Sequence, residues 1–182
     1  MDEQELIERV KKGDEMAFTV LMKAYKDRLV NFLYHSVGDY ERAVELAQET
    51  FVRVYFRAHQ YRPIAPLGTW IFTIASNLAK SEAKKRRKIN MVSLEEVAGE
   101  LGGEGVYYDP PSSGLSRNLE QALKELPAYY RIPLLLKDVE GFSQEEIAKM
   151  LNRPVGTIKA RLSRARHLLR QKLEKALKGE TE

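Results

Sequence analysis

The sequence predicts an all-α protein of two helical domains joined by a flexible linker, the C-terminal domain ending in a helix-turn-helix. Three observations carry this expectation. Apolar residues recur at spacings of three and four along most of the chain, and no alternating run is long enough for a strand. Between residues 91 and 115 the composition turns to glycine, proline and acid, with no lysine or arginine. Near the C-terminus a capped short helix meets, after a tight turn, a helix whose outer face is cationic. The expected divisions are therefore residues 1–90, 91–115 and 116–182.

Composition narrows the function classes. A chain of 182 residues holds one substantial core or two small ones. The 30 basic and 26 acidic residues leave a net charge of only +4, so the distribution of charge is more informative than its sum. Cysteine is absent, which excludes disulfides and thiolate metal sites. The N-terminal MDEQELIERVKKGD is acidic and polar, unlike a signal peptide, and no apolar run approaches a membrane span. A soluble, cytoplasmic protein is expected. A carboxylate metalloenzyme would need Glu-x-x-His, yet none of His35, His59 and His167 follows a glutamate by three residues. No catalytic constellation, metal or cofactor is expected.

Residues 2–12 read as a short amphipathic helix with Leu6, Ile7 and Val10 inward, ended by Gly13. Asp14 then caps a longer helix carrying Ala17, Phe18, Leu21, Met22, Tyr25, Leu29, Phe32 and Leu33 on its core side. After Gly38, Asp39 caps a third helix with Ala43, Leu46, Ala47, Phe51, Val54, Tyr55 and Ala58 inward. Its opposite face mixes Glu45, Gln48, Glu49, Val52 and Phe56 at spacings of three and four. A solvated face seldom offers Val and Phe, so this one suits docking against a partner; a second contact inside the bundle is the alternative.

The segment His59–Gly68, HQYRPIAPLG, is a proline-stiffened loop leading into TWIFTIASNLAKSEAKKRRK. There Trp70, Ile71, Ile74, Ala75 and Leu78 form a buried stripe, while Thr73, Asn77, Lys80 and Lys84 line an exposed one. The helix ends in five adjacent cations, Lys84 to Lys88, more than the helix dipole requires. Cations that follow a phosphate backbone, beside Asn77, Tyr61 and Arg62 as planar groups for exposed bases, suit single-stranded nucleic acid.

The glycine-rich linker could stretch on the order of 90 Å. Ser116 starts the next helix, with Leu119, Ala122, Leu123 and Leu126; Pro127 opens another through Tyr129, Ile132, Leu134, Leu135 and Leu136, which Pro133 should kink or restart. Ser143 and Glu146 form a capping box before Ile147, Ala148, Met150 and Leu151. Asn152 tolerates a left-handed cap, and Pro154 can open the last helix. That helix turns Ile158, Leu162, Ala165, Leu168, Leu169 and Leu173 inward and Thr157, Lys159, Arg161, Ser163, Arg164, Arg166 and Arg170 outward. No acid lies between Gly156 and Lys172. A basic second helix of this kind enters the DNA major groove.

Taken together, GDEMAF, LAQETFVRVY, LGTWIFTIASNLAKSEAKKRRK, the linker and EGFSQEEIAKMLNRPVGTIKARLSRAR resemble the extracytoplasmic-function (ECF) group of bacterial sigma factors, in order and over essentially the whole chain. The resemblance implies a detachable RNA polymerase subunit that recognises promoters, assists melting and directs initiation at a specific regulon, with no catalysis of its own. It implies that Glu45, Gln48, Glu49 and Val52 contact the clamp helices of the largest polymerase subunit, and that the C-terminal domain meets the flap of the second-largest. It places minus-ten recognition on Tyr61, Arg62, Thr73, Asn77, Lys80, Lys84 and Arg87. Minus-thirty-five recognition falls on Thr157, Lys159, Ala160, Arg161, Ser163, Arg164 and Arg166, with Lys159 and Arg164 at base edges. Thr73 stands where many relatives carry arginine, and Ala160 where serine is common. Promoter DNA, duplex and single-stranded, and an anti-sigma factor are the further partners implied. The competing expectation is a dimeric helix-turn-helix regulator that acts without polymerase; it leaves the Glu45 face and the Asn77 helix unexplained.

Overall fold

The computed structural model describes residues 2–96 and 116–179, with side chains omitted for 93–96. The described residues are helical with no strand, as the apolar periodicity requires. The linker reading of 97–115 and the tail beyond Gly179 lie outside them.

Helices α1 (Glu3–Lys11), α2 (Glu15–Val37), α3 (Tyr40–Arg57) and α4 (Leu67–Glu96) form the N-terminal unit. Each start and stop has a local cause. The Asp14 side chain accepts from the Ala17 amide and the Asp39 side chain from the Arg42 amide, so donors at both helix starts are satisfied. Gly38 ends α2 at φ 75°, a conformation that penalises any Cβ, and returns the chain so that α3 runs back along α2. A 3₁₀ turn, Ala58–Gln60, leads into the loop before α4. Gly68 lets α4 touch α2: a Cβ there would stand 3.2 Å from the Tyr25 hydroxyl.

The expected inward residues of α1 to α3 are buried, with Phe18, Met22 and Tyr55 partly so. Helix α4 differs, because it buries a second face. Beyond Ile71, Ile74, Ala75 and Leu78, the residues Phe72, Ser76, Ala79 and Glu82 are also covered. Phe72 lies 5.4 Å from the ring of Phe32 on one side and 5.4 Å from that of Phe142 on the other.

Phe142 belongs to the C-terminal unit: α5 (Arg117–Glu125), α6 (Ala128–Leu134), α7 (Gln144–Leu151) and α8 (Val155–Gly179). Ser116 caps α5 by accepting from the Leu119 amide. Pro133 sits inside α6, where it cannot donate to the carbonyl one turn back, and the chain answers with a π turn over Leu135–Val139. Tyr129 points largely outward, stacked at 4.4 Å on Tyr130. Arg131 is buried, and its Nη1 donates to the carbonyls of Leu123, Lys124 and Leu126, closing the C-terminal end of α5.

The two units share one continuous apolar core. Polar contacts line the seam between them. Arg28 of α2 donates through Nε and Nη2 to Glu140 at 3.1 and 2.9 Å, and the Glu140 side chain is only 4% exposed. The Lys124 ammonium lies over the Tyr34 ring at 5.7 Å.

Candidate nucleic-acid interface

The helix-turn-helix forms as its local signals require. Ser143 Oγ accepts from the Glu146 amide at 3.1 Å, while a Glu146 carboxylate oxygen accepts from the Ser143 amide at 2.7 Å, completing the capping box. Asn152 adopts φ 51° and ends α7, and α8 begins at Val155 after Pro154. Ile158, Leu162 and Ala165 are buried, with Leu168 and Leu169 packed at the edge of the core.

This anchoring turns the predicted reading face outward. Lys159, Ala160, Ser163 and Arg164 are exposed, and Thr157 is half-buried. Arg161 is half-buried, with its guanidinium over the Tyr129 ring at 5.8 Å. Arg166 is held by Asp138, donating at 3.1 and 2.7 Å to the two carboxylate oxygens. That fork makes Arg166 a fixed positive group at the edge of the face, with its proton held more tightly through the bond to Asp138.

The residues expected at the minus-ten element are less uniform. Asn77, Lys84 and Arg87 are exposed on α4, and Thr73 is half-buried, its hydroxyl donating to the Thr69 carbonyl at 2.7 Å. Arg62 is exposed at the loop, donating to the His59 carbonyl at 2.9 Å. Tyr61 corrects the expectation of an exposed stacking ring. It is 1% exposed, packs on Trp70 at 5.4 Å between ring centres, and donates its hydroxyl proton to the Ala65 carbonyl at 2.8 Å. A large ring in a proline-stiffened loop buries more area by folding under the loop than by standing out from it, so Tyr61 shapes the loop from beneath.

Above Tyr61 the loop and α4 form one wall of a cleft of about 320 Å³, lined by Arg62, Ile64, Trp70 and Thr73. Ile64 is 92% exposed at its lip. The opposite wall comes from α7: Glu146, Lys149 and Met150. The Thr69 hydroxyl reaches Glu146 Oε1 at 3.4 Å, and Lys80 Nζ reaches the Leu151 carbonyl at 3.4 Å. Burial lowers the Lys80 pKa, with Arg153 and then Arg161 adding like-charge repulsion. None of these cross-unit contacts follows from the sequence, in which Glu146 has a capping role alone.

The third face lies on α3. Glu45 and Gln48 are exposed and Glu49 is half-exposed, with Val52 at 54% and Phe56 at 70%. Both acids have local partners, Arg42 to Glu45 at 2.7 Å and Arg53 to Glu49 at 2.6 Å. Val52 and Phe56 are not used to pack the bundle, so the internal contact set against docking is absent at these two residues.

A helix-turn-helix with a cationic reading face, joined to a helical unit bearing a second basic stripe, defines a two-part DNA-binding protein. Sigma-70 region 2 matches residues 21–89 and Sigma-70 region 4 matches residues 116–169. The ECF RNA polymerase sigma factor SigW of Bacillus subtilis is 34% identical over 177 residues, covering 92% of this chain and 94% of that protein. The RNA polymerase sigma-H factor of Pseudomonas aeruginosa is 31% identical over 185 residues, covering 97% and 96%. Among solved structures, the sigma factor RpoE in complex with the anti-sigma factor NepR, from Bartonella quintana, superposes with a TM-score of 0.68 at 25% identity, covering 86% of this chain and 96% of that one. CnrH, in complex with the cytosolic domain of CnrY, superposes with a TM-score of 0.69 at 20% identity, covering 95% and 97%, and shares the fold. The chain belongs to the ECF RNA polymerase sigma factors. It is a transcription initiation factor and not an enzyme in itself, and the polymerase-independent regulator is not favoured.

Proposed function

We propose that this sigma factor docks on core RNA polymerase through α3 and reads promoters with two separate faces. Glu45, Gln48, Glu49 and Val52, with Phe56 beside them, meet the clamp helices of the largest subunit, and the C-terminal unit meets the flap of the second-largest. The observation that carries this reading is the α3 face, where Val52 and Phe56 stay exposed among acids instead of packing. A partner helix with apolar and basic residues would satisfy both kinds of group.

The minus-thirty-five element is read as duplex by α8. Lys159 and Arg164 reach base edges, guanine O6 and N7 suiting a cation, while Thr157, Ala160, Arg161, Ser163 and Arg166 fit against the groove wall and phosphates. The minus-ten element is read as a single strand. Arg62, Thr73 and Asn77 meet a base unstacked into the cleft, and Lys80, Lys84 and Arg87 follow the backbone. Tyr61 supports the loop from below. The domains are 1–90 for clamp and minus-ten, 91–115 for the linker, and 116–182 for minus-thirty-five.

The protein acts in the cytoplasm; no helix among the described residues is long and apolar enough to cross a membrane. An anti-sigma factor is a further partner, since the Bartonella quintana RpoE structure is that of a complex with one. Mixing the chain with bacterial core polymerase, scoring co-elution, and then running transcription from a promoter library tests the reading. Co-elution, selective initiation and weakened assembly by Glu49→Lys are expected. A chain that ignores polymerase and binds duplex DNA as a dimer would refute it.

A further inference from the structure

The loop before α4 is poor in backbone donors. Pro63 and Pro66 carry no N–H, which removes two of the five donors between Arg62 and Pro66. The Tyr61 amide closes the 3₁₀ turn on the Ala58 carbonyl at 3.0 Å, and from there a side chain spans the tip. The Tyr61 hydroxyl donates to the Ala65 carbonyl at 2.8 Å, bridging Arg62, Pro63 and Ile64, and it accepts from Gln4 Nε2 of α1 at 3.2 Å. Lys11, also of α1, holds its ammonium over the Tyr61 ring at 5.7 Å, while Trp70 packs on that ring at 5.4 Å. Helix α1 thus lies against the loop and is tied to it through one phenol.

We propose that Gln4 and the Tyr61 hydroxyl are positioning residues for minus-ten selection: α1 fixes the loop tip through the phenolic proton, and the tip fixes the cleft in which a base is chosen. The proposal rests on the minus-ten reading above and goes beyond it, because both groups act through the loop and not on the base. Tyr61 is 1% exposed, whereas Arg62 and Pro63 are exposed and Ile64 stands at the lip. A phenol has a single proton. Gln4 donates into the oxygen, which leaves that proton for Ala65 and gives the bridge one direction. A cleft discriminates between bases only while its walls keep their places; a tip free to shift would accommodate the wrong base as well as the right one.

Two changes isolate the proton. Tyr61→Phe keeps the ring, its burial and its packing on Trp70, and removes the proton. Gln4→Glu keeps the shape of the side chain and turns a donor into a charged acceptor, which draws the phenolic proton away from Ala65. Holoenzymes made from core RNA polymerase and the full-length chain transcribe a promoter library randomised across the minus-ten element, and selection is scored as the ratio of initiation between the preferred and the next-best base. A ratio within one reaction cancels the amount of folded, assembled protein, so a loss of stability alone leaves it unmoved. Asn77→Ala marks the position that the cleft reads. There Tyr61→Phe and Gln4→Glu should each lower the ratio about three- to tenfold, the factor carried by one hydrogen bond. Gln4→Glu added to Tyr61→Phe should lower it no further, since the proton is already gone while the added charge is the same. In the free chain, NMR relaxation should show the order parameters of the Arg62 and Ile64 amides falling in both single variants, with those of α4 unchanged.

An unchanged ratio in Tyr61→Phe, at a position where Asn77→Ala loses selection, overturns the positioning role and leaves the cleft reading standing. So does a Tyr61→Phe protein that loses initiation equally from every template, the mark of a merely structural residue. Selection retained in Gln4→Glu, or lost further when the two changes are combined, overturns the part assigned to α1. If Arg62→Ala, Thr73→Ala and Asn77→Ala all leave minus-ten selection intact, the cleft reading itself fails and the inference falls with it. Leu46→Val, which loosens the same unit at a buried residue of α3, should lower Tm and leave the ratio as in wild type. A fall in that control equal to the fall in Tyr61→Phe would assign both to stability and overturn the proposal.

Discussion

Arg131→Met isolates the contribution of one buried cation to the C-terminal unit. The Arg131 Nη1 donates to the carbonyls of Leu123, Lys124 and Leu126 at 3.2, 2.9 and 3.1 Å, sharing two protons among three acceptors. Two of those carbonyls lie in the last turn of α5, where the Leu126 amide donates to that of Leu123 at 3.1 Å and Arg131 adds to both. The nine-residue α5 is too short to persist alone, so its end depends on such partners. Hydrogen bonds from a charged donor contribute roughly 1.5–3 kcal/mol each, or about 3–6 kcal/mol for two protons. Against this stands the desolvation of a guanidinium with no carboxylate partner among the described residues, whose burial lowers its pKa, and methionine recovers that part. The net expected loss is about 2 kcal/mol. For a chain of this size that lowers Tm by roughly 4–8 °C. Thermal unfolding by circular dichroism measures it, with Arg131→Lys falling between the two because a single ammonium cannot span the three carbonyls. An Arg131→Met protein as stable as wild type, or more so, would refute the reasoning and show that desolvation outweighs the carbonyl contacts.

Glu82→Gln should reduce stability at neutral pH by about 1–2 kcal/mol, since Glu82 is nearly buried and accepts from Arg42 at 2.9 Å and Arg86 at 3.3 Å. The Arg42 bond, and then its charge, hold the Glu82 carboxyl below its ordinary pKa of 4.5 against the opposing effect of burial. Its stabilisation is therefore full above 4.5 and lost as pH falls through the lowered value, so the variant should show a flatter acid limb in urea titrations across pH. Ser143→Ala removes one half of the α7 capping box and should cost about 1 kcal/mol, read by urea denaturation. If Lys159 or Arg164 reads a base edge, its change to alanine should cost about 1–3 kcal/mol of duplex affinity and relax selection at one base position. A selection experiment in which binding weakens equally over all sequences would assign that residue to phosphate.

Much of the fold is legible because its causes are local. Asp14, Asp39, Ser116 and Ser143 each bond an amide three residues away, and Gly38 and Asn152 each take the left-handed conformation that ends a helix. Inward faces follow from a period that any neighbouring helix would read in the same way. The outward face of α8 is legible for the same reason: once Ile158, Leu162 and Ala165 are anchored, Lys159 and Arg164 turn to solvent. Tyr61 shows where local reasoning stops. A tyrosine beside an arginine in a loop looks equally suited to a base and to a core, and the position of Trp70 on the next helix decides between them.

The amino-acid sequence by itself determined an all-α chain, its helix ends, a basic helix-turn-helix and an exposed face of mixed acid and apolar residues on α3, because each rests on residues within a turn or two of one another. Only the tertiary structure decided how the two units meet. It brought Phe72 to Phe142, Arg28 to Glu140 and Thr69 to Glu146, the last pair separated by 77 positions. A contact of that separation leaves no periodicity, cap or charge run in either partner's neighbourhood. It exists because α4 has a second apolar face and α7 supplies a surface that covers it, and that match is a property of shapes in space.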